Sequence, residues 1–232
     1  GFKGQGVEAA LLGALEKRVQ AQHVPLAAPE KRVFIRVALD NKDEAGKAIL
    51  AQAGYTPVRY HWRMGIDLHD IPPAPEWPRG LSLRTYTGES DDRPVYEAVQ
   101  EAFQDHWGHT PVAFEDWRQR MIAIEEFDPD LWWLVLDGDE IAGGSLSRRK
   151  NGKGWLATLF VRRPWRRQGL GLALLHQTFR TFYTRGVKRV ELGVDANNTT
   201  GATRLYERAG MHVAFRYAVF EKELRPGRDE EA

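Results

Sequence analysis

The same order of predicted elements occurs twice along this chain, and no other sequence feature constrains the fold as strongly. A glycine loop, a helix, a strand, a short helix, a glycine and closing strands follow one another from Gly6 to residue 68. The same order recurs from Gly169 to residue 224, where further strands and helices precede it. Because an internal repeat marks a repeated structural unit, the sequence predicts one complete domain copy, residues 81–224, and the C-terminal half of a preceding copy, residues 1–68.

A proline-rich segment separates the two copies. Residues 69–80 read HDIPPAPEWPRG, and their four prolines interrupt any helical or strand periodicity. This composition is typical of a linker. At the other end of the complete copy, the run HVAFRYAVFEKEL, residues 212–224, is predicted to form two closing strands, and residues 225–232 a charged tail.

Two turn signals within the complete copy predict an antiparallel meander. Asp-Gly at 137–138 and Asn-Gly at 151–152 each lie between two β-rich runs. Such dipeptides favour the positive φ angles of tight hairpin turns. Further along, apolar residues recur at helical spacing from Leu172 to Phe182, and Gly186 is predicted to end that helix.

The amino-acid composition limits which partners and which cellular compartment we expect for this protein. The 33 basic and 32 acidic residues give a formal net charge of +1, so bulk charge gives no reason to expect a nucleic-acid or membrane-surface partner. The chain has no cysteine, which excludes disulfides and thiol nucleophiles and is consistent with a reducing compartment. No apolar run approaches the roughly 20 residues that span a bilayer. We therefore expect a cytoplasmic globular protein that binds neither nucleic acid nor membrane.

A basic, glycine-rich loop precedes the helix that Gly186 ends. The stretch RRPWRRQGLGLALL, residues 162–175, places Arg166 and Arg167 just before Gly169 and Gly171. A helix N-terminus offers unpaired N–H groups and a partial positive charge, and glycines allow a close backbone approach. The loop therefore predicts a diphosphate site, although a solvated basic turn has the same composition.

Two familiar phosphate loops fit this stretch poorly. A P-loop needs Gly-Lys-Ser/Thr after its glycines, which is absent here. In the dinucleotide fingerprint the strand runs almost directly into the glycines, whereas Val161 lies eight residues before Gly169 and Leu174 replaces the third glycine. Glu191 lies 20 residues after Gly171, where an acid that binds ribose is expected, but it falls inside a predicted strand. A nucleotide-binding oxidoreductase is therefore the weaker interpretation.

The pattern Arg166-x-x-Gly169-x-Gly171, preceded by LFV and a proline, resembles the acetyl-CoA pyrophosphate signature of the GNAT acetyltransferase superfamily. The downstream run VDANNTTGATRLYERAGM, residues 194–211, resembles the next motif of that family. The resemblance implies an α/β (α+β) GNAT fold, a mixed central sheet with flanking helices. Tandem copies of such a domain are similar to mycothiol synthase and its relatives.

The resemblance implies that acetyl-CoA is the co-substrate and assigns residues to it. The pantetheine arm is expected to lie between two splayed strands as an additional strand, and the diphosphate to bind the arginine loop. An asparagine of the second motif is expected near the arm. The residues that match these positions are Leu159, Phe160 and Val161 for the arm, Arg166, Arg167, Gln168, Gly169, Leu170 and Gly171 for the diphosphate, and Asn198.

Tyr206 matches the tyrosine that many family members use as general acid. A phenol with a pKa of about 10 can protonate the thiolate that leaves a thioester, whose parent thiol has a pKa of about 8.5. Packing against the helix stripe that includes Leu205 is the alternative role. The first copy has Leu50 at the matching position, so we expect a catalytic second copy and a non-catalytic first copy. Some relatives carry a glutamate on the strand before the loop; GWLATLF has none, which leaves the general base open.

The acceptor pocket is expected between the two early helices of the complete copy. There the stretch FQDHWGHTP supplies Asp105, His106, Trp107 and His109 as candidate acceptor contacts. No metal is expected, because the reaction needs none. The resemblance implies transfer of an acetyl group from acetyl-CoA to a primary amine of a small molecule. The alternatives are a peptide or protein N-terminal acetyltransferase and a non-catalytic acyl-CoA-binding module. The missing N-terminal half-domain is a further expected partner.

Overall fold

The computed structural model describes residues 6–104, 110–198 and 201–228. The helices in this part of the chain are α1 Val7–Gln22, α2 Glu44–Gln52, α3 Glu89–Phe103, α4 Phe114–Met121, α5 Leu170–Thr184 and α6 Ala202–Arg208. The strands are β1 Val33–Asp40, β2 Thr56–Asp67, β3 Ser82–Thr85, β4 Trp132–Asp137, β5 Glu140–Lys150, β6 Lys153–Val161, β7 Arg189–Asp195 and β8 His212–Arg225. No helix among the described residues is long and apolar enough to cross a membrane.

The strands form an eight-stranded mixed sheet in the order β1-β8-β2-β7-β6-β5-β4-β3. Neighbouring strands from β3 to β6 are antiparallel, as is the β1–β8 pair. The β6–β7 pair is parallel, with helix α5 as the crossover between them. Mixed pairing with flanking helices is the α/β architecture that the sequence predicts.

The chain divides into two compact units. Of the described residues, the first comprises 6–62, 195–197 and 215–228, and its buried core is Ile35, Leu50, Tyr55, Ala218 and Phe220. The second comprises the described residues within 63–194 and 198–214. One of its cores packs α3 and α4 against the sheet through Val95, Val99, Trp117, Trp132, Leu134, Leu146 and Phe160. These units are defined by contacts, so the division into two sequence copies stays a prediction.

Both predicted hairpins are confirmed. Asp137 pairs with Glu140 across the first turn, and Lys150 pairs with Lys153 across the second. In the second turn Asn151 has φ 51° and Gly152 φ 75°, as a tight turn between twisted strands requires. The local sequence therefore determines the register of the meander.

The predicted pair of closing strands is wrong. Residues 212–225 form one continuous strand, β8, of 14 residues. The run contains no glycine or proline, so nothing in its backbone chemistry ends the strand at its centre. Its second half is held along β1, where Ile35 lies opposite Lys222 and Asp40 opposite Tyr217.

Candidate active site

Strands β6 and β7 are paired at their beginnings and separate further along. The parallel register joins Gly154 to Val190 and Trp155 to Glu191. On its other side β6 stays paired with β5 as far as Val161. One edge of β6 beyond Trp155 is therefore available to an extended ligand.

A β-bulge accounts for the separation. The β5–β6 register shifts so that Thr158 lies opposite Leu146 and Leu156 opposite Ser147, which leaves Ala157 as an extra residue in β6. A bulge bends its strand and increases the local twist. Leu159, Phe160 and Val161, which the resemblance assigns to the pantetheine arm, all lie beyond this bulge; Phe160 is buried, and the other two are partly exposed.

The loop after β6 leads into a helix start that lacks a side-chain cap. Gly169, the N-cap of α5, has φ 86° and offers no capping side chain. The first helical hydrogen bonds are donated by Leu172 and Ala173 to the Gly169 carbonyl, at 3.0 and 3.1 Å. The N–H groups of Leu170 and Gly171 precede these donors, at the positive end of the helix dipole. This arrangement suits an anion.

Gly171 has a second role in packing. A Cβ at this position would lie 3.0 Å from Leu205 Cδ2, so the glycine lets the start of α5 approach α6 closely. At Gly169, by contrast, an added Cβ would meet nothing within 4 Å. Gly169 is therefore required by its backbone conformation and Gly171 by its surroundings.

The arginines of the loop differ in what they contact. Arg166 donates from Nε to the Val161 carbonyl at 3.0 Å and from Nη2 to the Ala102 carbonyl at 3.1 Å. Arg162 donates from Nε to Glu101 at 2.7 Å. Both side chains thus tie the loop to the last turn of α3, where carbonyl groups and the helix dipole attract cations. The sequence predicts Arg166 only as a diphosphate ligand; its guanidinium also holds the loop in place.

Arg167 and Gln168 face outward. Arg167 is exposed and has φ 63°, a left-handed conformation that is uncommon for a residue with a side chain. Gln168 donates from Nε2 to the Pro164 carbonyl at 3.1 Å, which closes the loop on itself. Of the two arginines predicted for the diphosphate, Arg167 therefore presents its charge to solvent.

Tyr206 lies on α6 and is 9% exposed. Burial raises the pKa of its phenol to about 12, so the hydroxyl stays protonated at neutral pH. Asn198 supports the same helix, because its Oδ1 accepts a hydrogen bond from the Ala202 N–H at 3.3 Å. Tyr206 thus carries a protonated hydroxyl at neutral pH, on a helix whose first N–H is bound by Asn198.

Glu191 belongs to an ion network on the sheet. Lys153 donates to its carboxylate at 3.0 Å and Arg189 at 2.6 Å. Burial acts to raise the pKa of Glu191, but the hydrogen bonds from Arg189 and Lys153 outweigh it, and the pKa lies below its usual value. A carboxylate held in this way is a poor ribose ligand, which weakens the oxidoreductase interpretation further.

The candidate acceptor residues Asp105, His106, Trp107 and His109 lie outside the described residues. The helices on either side of them are described. On α3, Asp92 accepts a hydrogen bond from Arg118 of α4 at 2.8 Å and another from Tyr86. The neighbouring Asp91 binds both terminal nitrogens of Arg84 at 2.7 Å.

The carboxylate of Asp91 is held in its charged form. Burial acts to raise the pKa of Asp91, but hydrogen bonds from Arg84 and Thr87 lower it below its usual value. The sequence analysis missed this network, because two aspartates in the first turn of a helix are also typical of an ordinary helix start.

The first unit contains a cavity of about 370 Å³, lined by Asn41, Tyr60, Trp62, Ala196, Asn197, Arg216 and Tyr217. The Arg216 guanidinium lies over the Trp62 ring, 5.6 Å from its centroid, and Tyr217 stacks on His61 at 5.3 Å. Two of the lining residues, Arg216 and Tyr217, thus contact aromatic rings of the same unit. We assign no ligand to it.

Comparison with known proteins agrees with the motifs. The model of the acetyltransferase (GNAT) family matches residues 93–211, about half of the chain. A solved structure, a GCN5-related N-acetyltransferase from Sphaerobacter thermophilus, is 43% identical, covers 98% of this chain and 71% of its own, and has a TM-score of 0.87. A tandem GNAT protein from the clavulanic acid biosynthesis pathway shares the fold, with a TM-score of 0.72 over 97% of this chain and 72% of its own, at 18% identity.

Curated relatives are longer than this chain. A mycothiol acetyltransferase from Catenulispora acidiphila is 32% identical over 214 residues, which are 89% of this chain and 65% of that protein. A mycothiol acetyltransferase from Beutenbergia cavernae is 34% identical over 182 residues, 73% of this chain and 61% of that protein. The chain thus spans less than two thirds of the length of these relatives. The motifs, the separated strands and the family match lead to one conclusion: the chain belongs to the GNAT acetyltransferase family.

Proposed function

We propose that this protein is an N-acetyltransferase that moves an acetyl group from acetyl-CoA to a primary amine of a small molecule. The observation that supports this most is the separation of β6 from β7 beyond Trp155, at the same end of the strands as the glycine-capped start of α5. A gap between two parallel strands accepts an extended chain that carries amide groups. A helix start whose N-cap residue supplies no side-chain hydrogen bond accepts the phosphates of that chain.

The residues present fit acetyl-CoA. The free edge of β6 offers backbone groups of Leu159, Phe160 and Val161 to the pantetheine amides, with one acceptor position of the Val161 carbonyl already used by Arg166. The N–H groups of Leu170 and Gly171 suit the diphosphate, and Arg167 adds charge. Gln168 and Gly169 complete the turn. Asn198 stays a candidate contact near the arm, in addition to its role in capping α6.

The proposed reaction is direct transfer. The amine nitrogen attacks the thioester carbonyl, a C–N bond forms, the C–S bond breaks, and the thiolate leaves. Tyr206 donates its phenolic proton toward the sulfur, and the acetylated nitrogen loses its proton to water. Strand β6 carries no carboxylate to accept that proton. We therefore expect the acceptor to react as its free base, with a rate that rises as pH approaches the pKa of the amine.

The raised pKa of Tyr206 suits a buried donor. In water a phenol with a pKa of about 12 is a weak acid toward a thiolate whose parent thiol has a pKa of about 8.5. Burial raises both values, because it disfavours phenolate and thiolate alike. The proton is therefore shared or transferred only as negative charge develops on the sulfur.

The first copy is proposed as a scaffold in a tandem arrangement. Its α1, β1, α2 and β2 follow the order of α5, β7, α6 and β8. Leu50 in α2 is buried, at 5% exposure, and offers no proton. The tandem GNAT neighbour supports this arrangement, and the name of the curated relatives supports a small-molecule acceptor. A missing N-terminal half-domain would be a partner of the first copy.

Thiol release from acetyl-CoA in the presence of a panel of primary amines tests the proposal. We expect amine-dependent release and a mass increase of one acetyl group on the acceptor. A non-catalytic acyl-CoA-binding module would bind acetyl-CoA and acetylate no amine. A peptide N-terminal acetyltransferase would acetylate short peptides and leave the small amines unmodified.

A further inference from the structure

An arginine of β2 lies over a tryptophan of β6. The guanidinium carbon of Arg63 is 5.7 Å from the centroid of the Trp155 ring, within the range of a cation–π contact. Trp155 is also the last residue of β6 in register with β7. The pair therefore marks the point where the two strands begin to separate.

A glycine on the strand between them makes this contact possible. Two backbone hydrogen bonds fix an antiparallel β2–β7 register with no net slip: Ala196 N to Tyr60 O, 2.9 Å, and Leu68 N to Lys188 O, 2.7 Å. Counting along this register places Gly193 opposite Arg63. A Cβ at Gly193 would lie 4.0 Å from Cη2 of Trp155. Because Gly193 has no side chain, the guanidinium can extend over it to the indole.

The charge of Arg63 is not neutralised by a neighbour. The two carboxylates of β7 that flank Gly193 already have cationic partners: Glu191 pairs with Lys153 and Arg189, and Asp195 pairs with Arg59. Within the described ranges of the chain, Arg63 takes part in no ion pair, and it is exposed. The point of separation thus presents an uncompensated cation beside a flat apolar ring.

This position is where the acyl group is expected. The inference rests on the proposed function, in which the diphosphate binds at the start of α5 and the pantetheine arm runs back along the free edge of β6 from Val161. An arm that extends in this direction carries its thioester toward the bulge at Ala157 and toward Trp155. The amine must reach the thioester, so it approaches beside the pair formed by Arg63 and Trp155.

We propose that Arg63 binds an acidic group of the acceptor, so that the substrate is a primary amine that also carries an oxyanion, a carboxylate or a phosphate. A guanidinium presents paired N–H donors that match both groups. The face of Trp155 contacts the carbon skeleton between the acidic group and the amine. Arg63 is a specificity-determining residue in this scheme and takes no part in proton transfer.

Matched acceptors test this inference. The set consists of 3-aminopropanoate, 2-aminoethyl phosphate and neutral 2-aminoethanol, with phenylalanine and 2-phenylethylamine as a second pair that keeps the ring and removes the carboxylate. We expect kcat/KM for the better acidic acceptor to exceed that for its neutral counterpart about 10- to 100-fold, the range of one charge-assisted hydrogen-bonded contact. Comparing 3-aminopropanoate with 2-aminoethyl phosphate shows whether the protein prefers a carboxylate or a phosphate.

Variants assign the preference to Arg63. Arg63→Gln should raise KM for the acidic acceptor by about the same 10- to 100-fold while leaving kcat, the KM for acetyl-CoA and the rate with the neutral acceptor nearly unchanged. Arg63→Lys, which keeps the charge and loses the planar fork, should restore part of the preference. Arg79→Gln removes an exposed arginine from the linker and serves as the matched control.

The outcomes separate this inference from the proposed function. Equal use of acidic and neutral amines, or an equal loss for both in Arg63→Gln, would overturn the role of Arg63 and leave acetyl transfer intact. If acetyl-CoA binds and no amine of any charge is acetylated, the proposed function fails and this inference fails with it. A thermal midpoint of Arg63→Gln within about 2 °C of the unaltered protein would show that any loss is not unfolding.

Discussion

The starts of α1 and α5 have the same backbone conformation, but the two helices differ in how much of their surface is buried. Gly6 caps α1 with φ 80°, Gly169 caps α5 with φ 86°, and neither helix has a side-chain cap. Helix α1 has no buried residue and exposes Val7, Leu11 and Leu15, whereas α5 buries seven of its 15 residues. In the proposed function, a helix start with a glycine N-cap binds an anion only where packing and charge support it, as at α5.

The short helices α2 and α6, which match in the predicted repeat, show the same contrast. Leu50 of α2 and Tyr206 of α6 take matching places in that predicted repeat, and both are buried, at 5% and 9% exposure. Leu50 packs an aliphatic side chain into its core, whereas Tyr206 places a phenol with a raised pKa in the same kind of position. In the proposed function, this one residue separates a scaffold helix from a helix that can donate a proton.

Removing the phenol should have the largest effect. In Tyr206→Phe we expect kcat to fall about 100-fold or more, because a positioned general acid contributes 10²–10⁴-fold, while the Kd for acetyl-CoA stays the same. Steady-state kinetics and calorimetry measure the two quantities. Leu50→Phe, a change at the matching place of the first copy, should leave kcat unchanged. An unchanged kcat in Tyr206→Phe would mean that Tyr206 only packs in the core and takes no part in proton transfer.

Substituting the two loop arginines, Arg166 and Arg167, one at a time should have the next largest effect. Arg166→Gln removes charge-assisted hydrogen bonds to Val161 and Ala102 and should lower the free energy of unfolding by about 2 kcal/mol. Arg167→Gln, at an exposed position, should leave stability unchanged and weaken acetyl-CoA binding, most clearly at low salt. Urea unfolding and calorimetry at two salt concentrations measure these effects. Equal stability losses in both variants would contradict the distinction.

Paired glycine substitutions test the two helix starts directly. Gly6→Ala and Gly169→Ala each force a side chain into a positive φ angle with no atom within 4 Å of the new Cβ, so each should cost about 1 kcal/mol of stability. Only Gly169→Ala should also weaken acetyl-CoA binding, by about tenfold, because it displaces the N–H groups at the start of α5. If both variants bound acetyl-CoA equally well, the start of α5 would not be the acetyl-CoA site.

The smallest effect is a shift in an alkaline titration. A folded-state pKa of about 12 against about 10 in the unfolded chain favours the neutral phenol. The resulting stabilisation is fully present below pH 10 and is lost as pH rises through about 12. The difference in absorbance near 295 nm between the unaltered protein and Tyr206→Phe should therefore show no tyrosine ionising near pH 10. A difference curve with its midpoint at 10 would mean that Tyr206 is solvated.

Local chemistry made part of this fold predictable. The Asp-Gly and Asn-Gly turns determined the hairpins, Gly186 ended α5, and the two motifs identified the family. The error at β8 arose because strand length is decided by a partner strand, here β1, that lies some 180 residues away in the sequence, as the pairing of Asp40 with Tyr217 shows.

The site itself was less predictable, for the same reason. The bulge at Ala157 arises because β6 has one residue more than the β5 segment it pairs with. No single residue type predicts such a difference. The contacts of Arg166 with α3 and of Arg63 with Trp155 join residues that are 64 and 92 positions apart. The motifs identified the family and led to the predicted site residues, whereas long-range packing determined what those residues contact.

Calorimetric titration with acetyl-CoA tests the central claim, that the second copy holds the cofactor and the first does not. We predict one acetyl-CoA per chain with a Kd in the micromolar range, binding weakened about tenfold in Gly169→Ala and unchanged in Gly6→Ala, and no binding of NAD. Two equivalent sites per chain, or binding that Gly6→Ala removes and Gly169→Ala does not, would contradict the account.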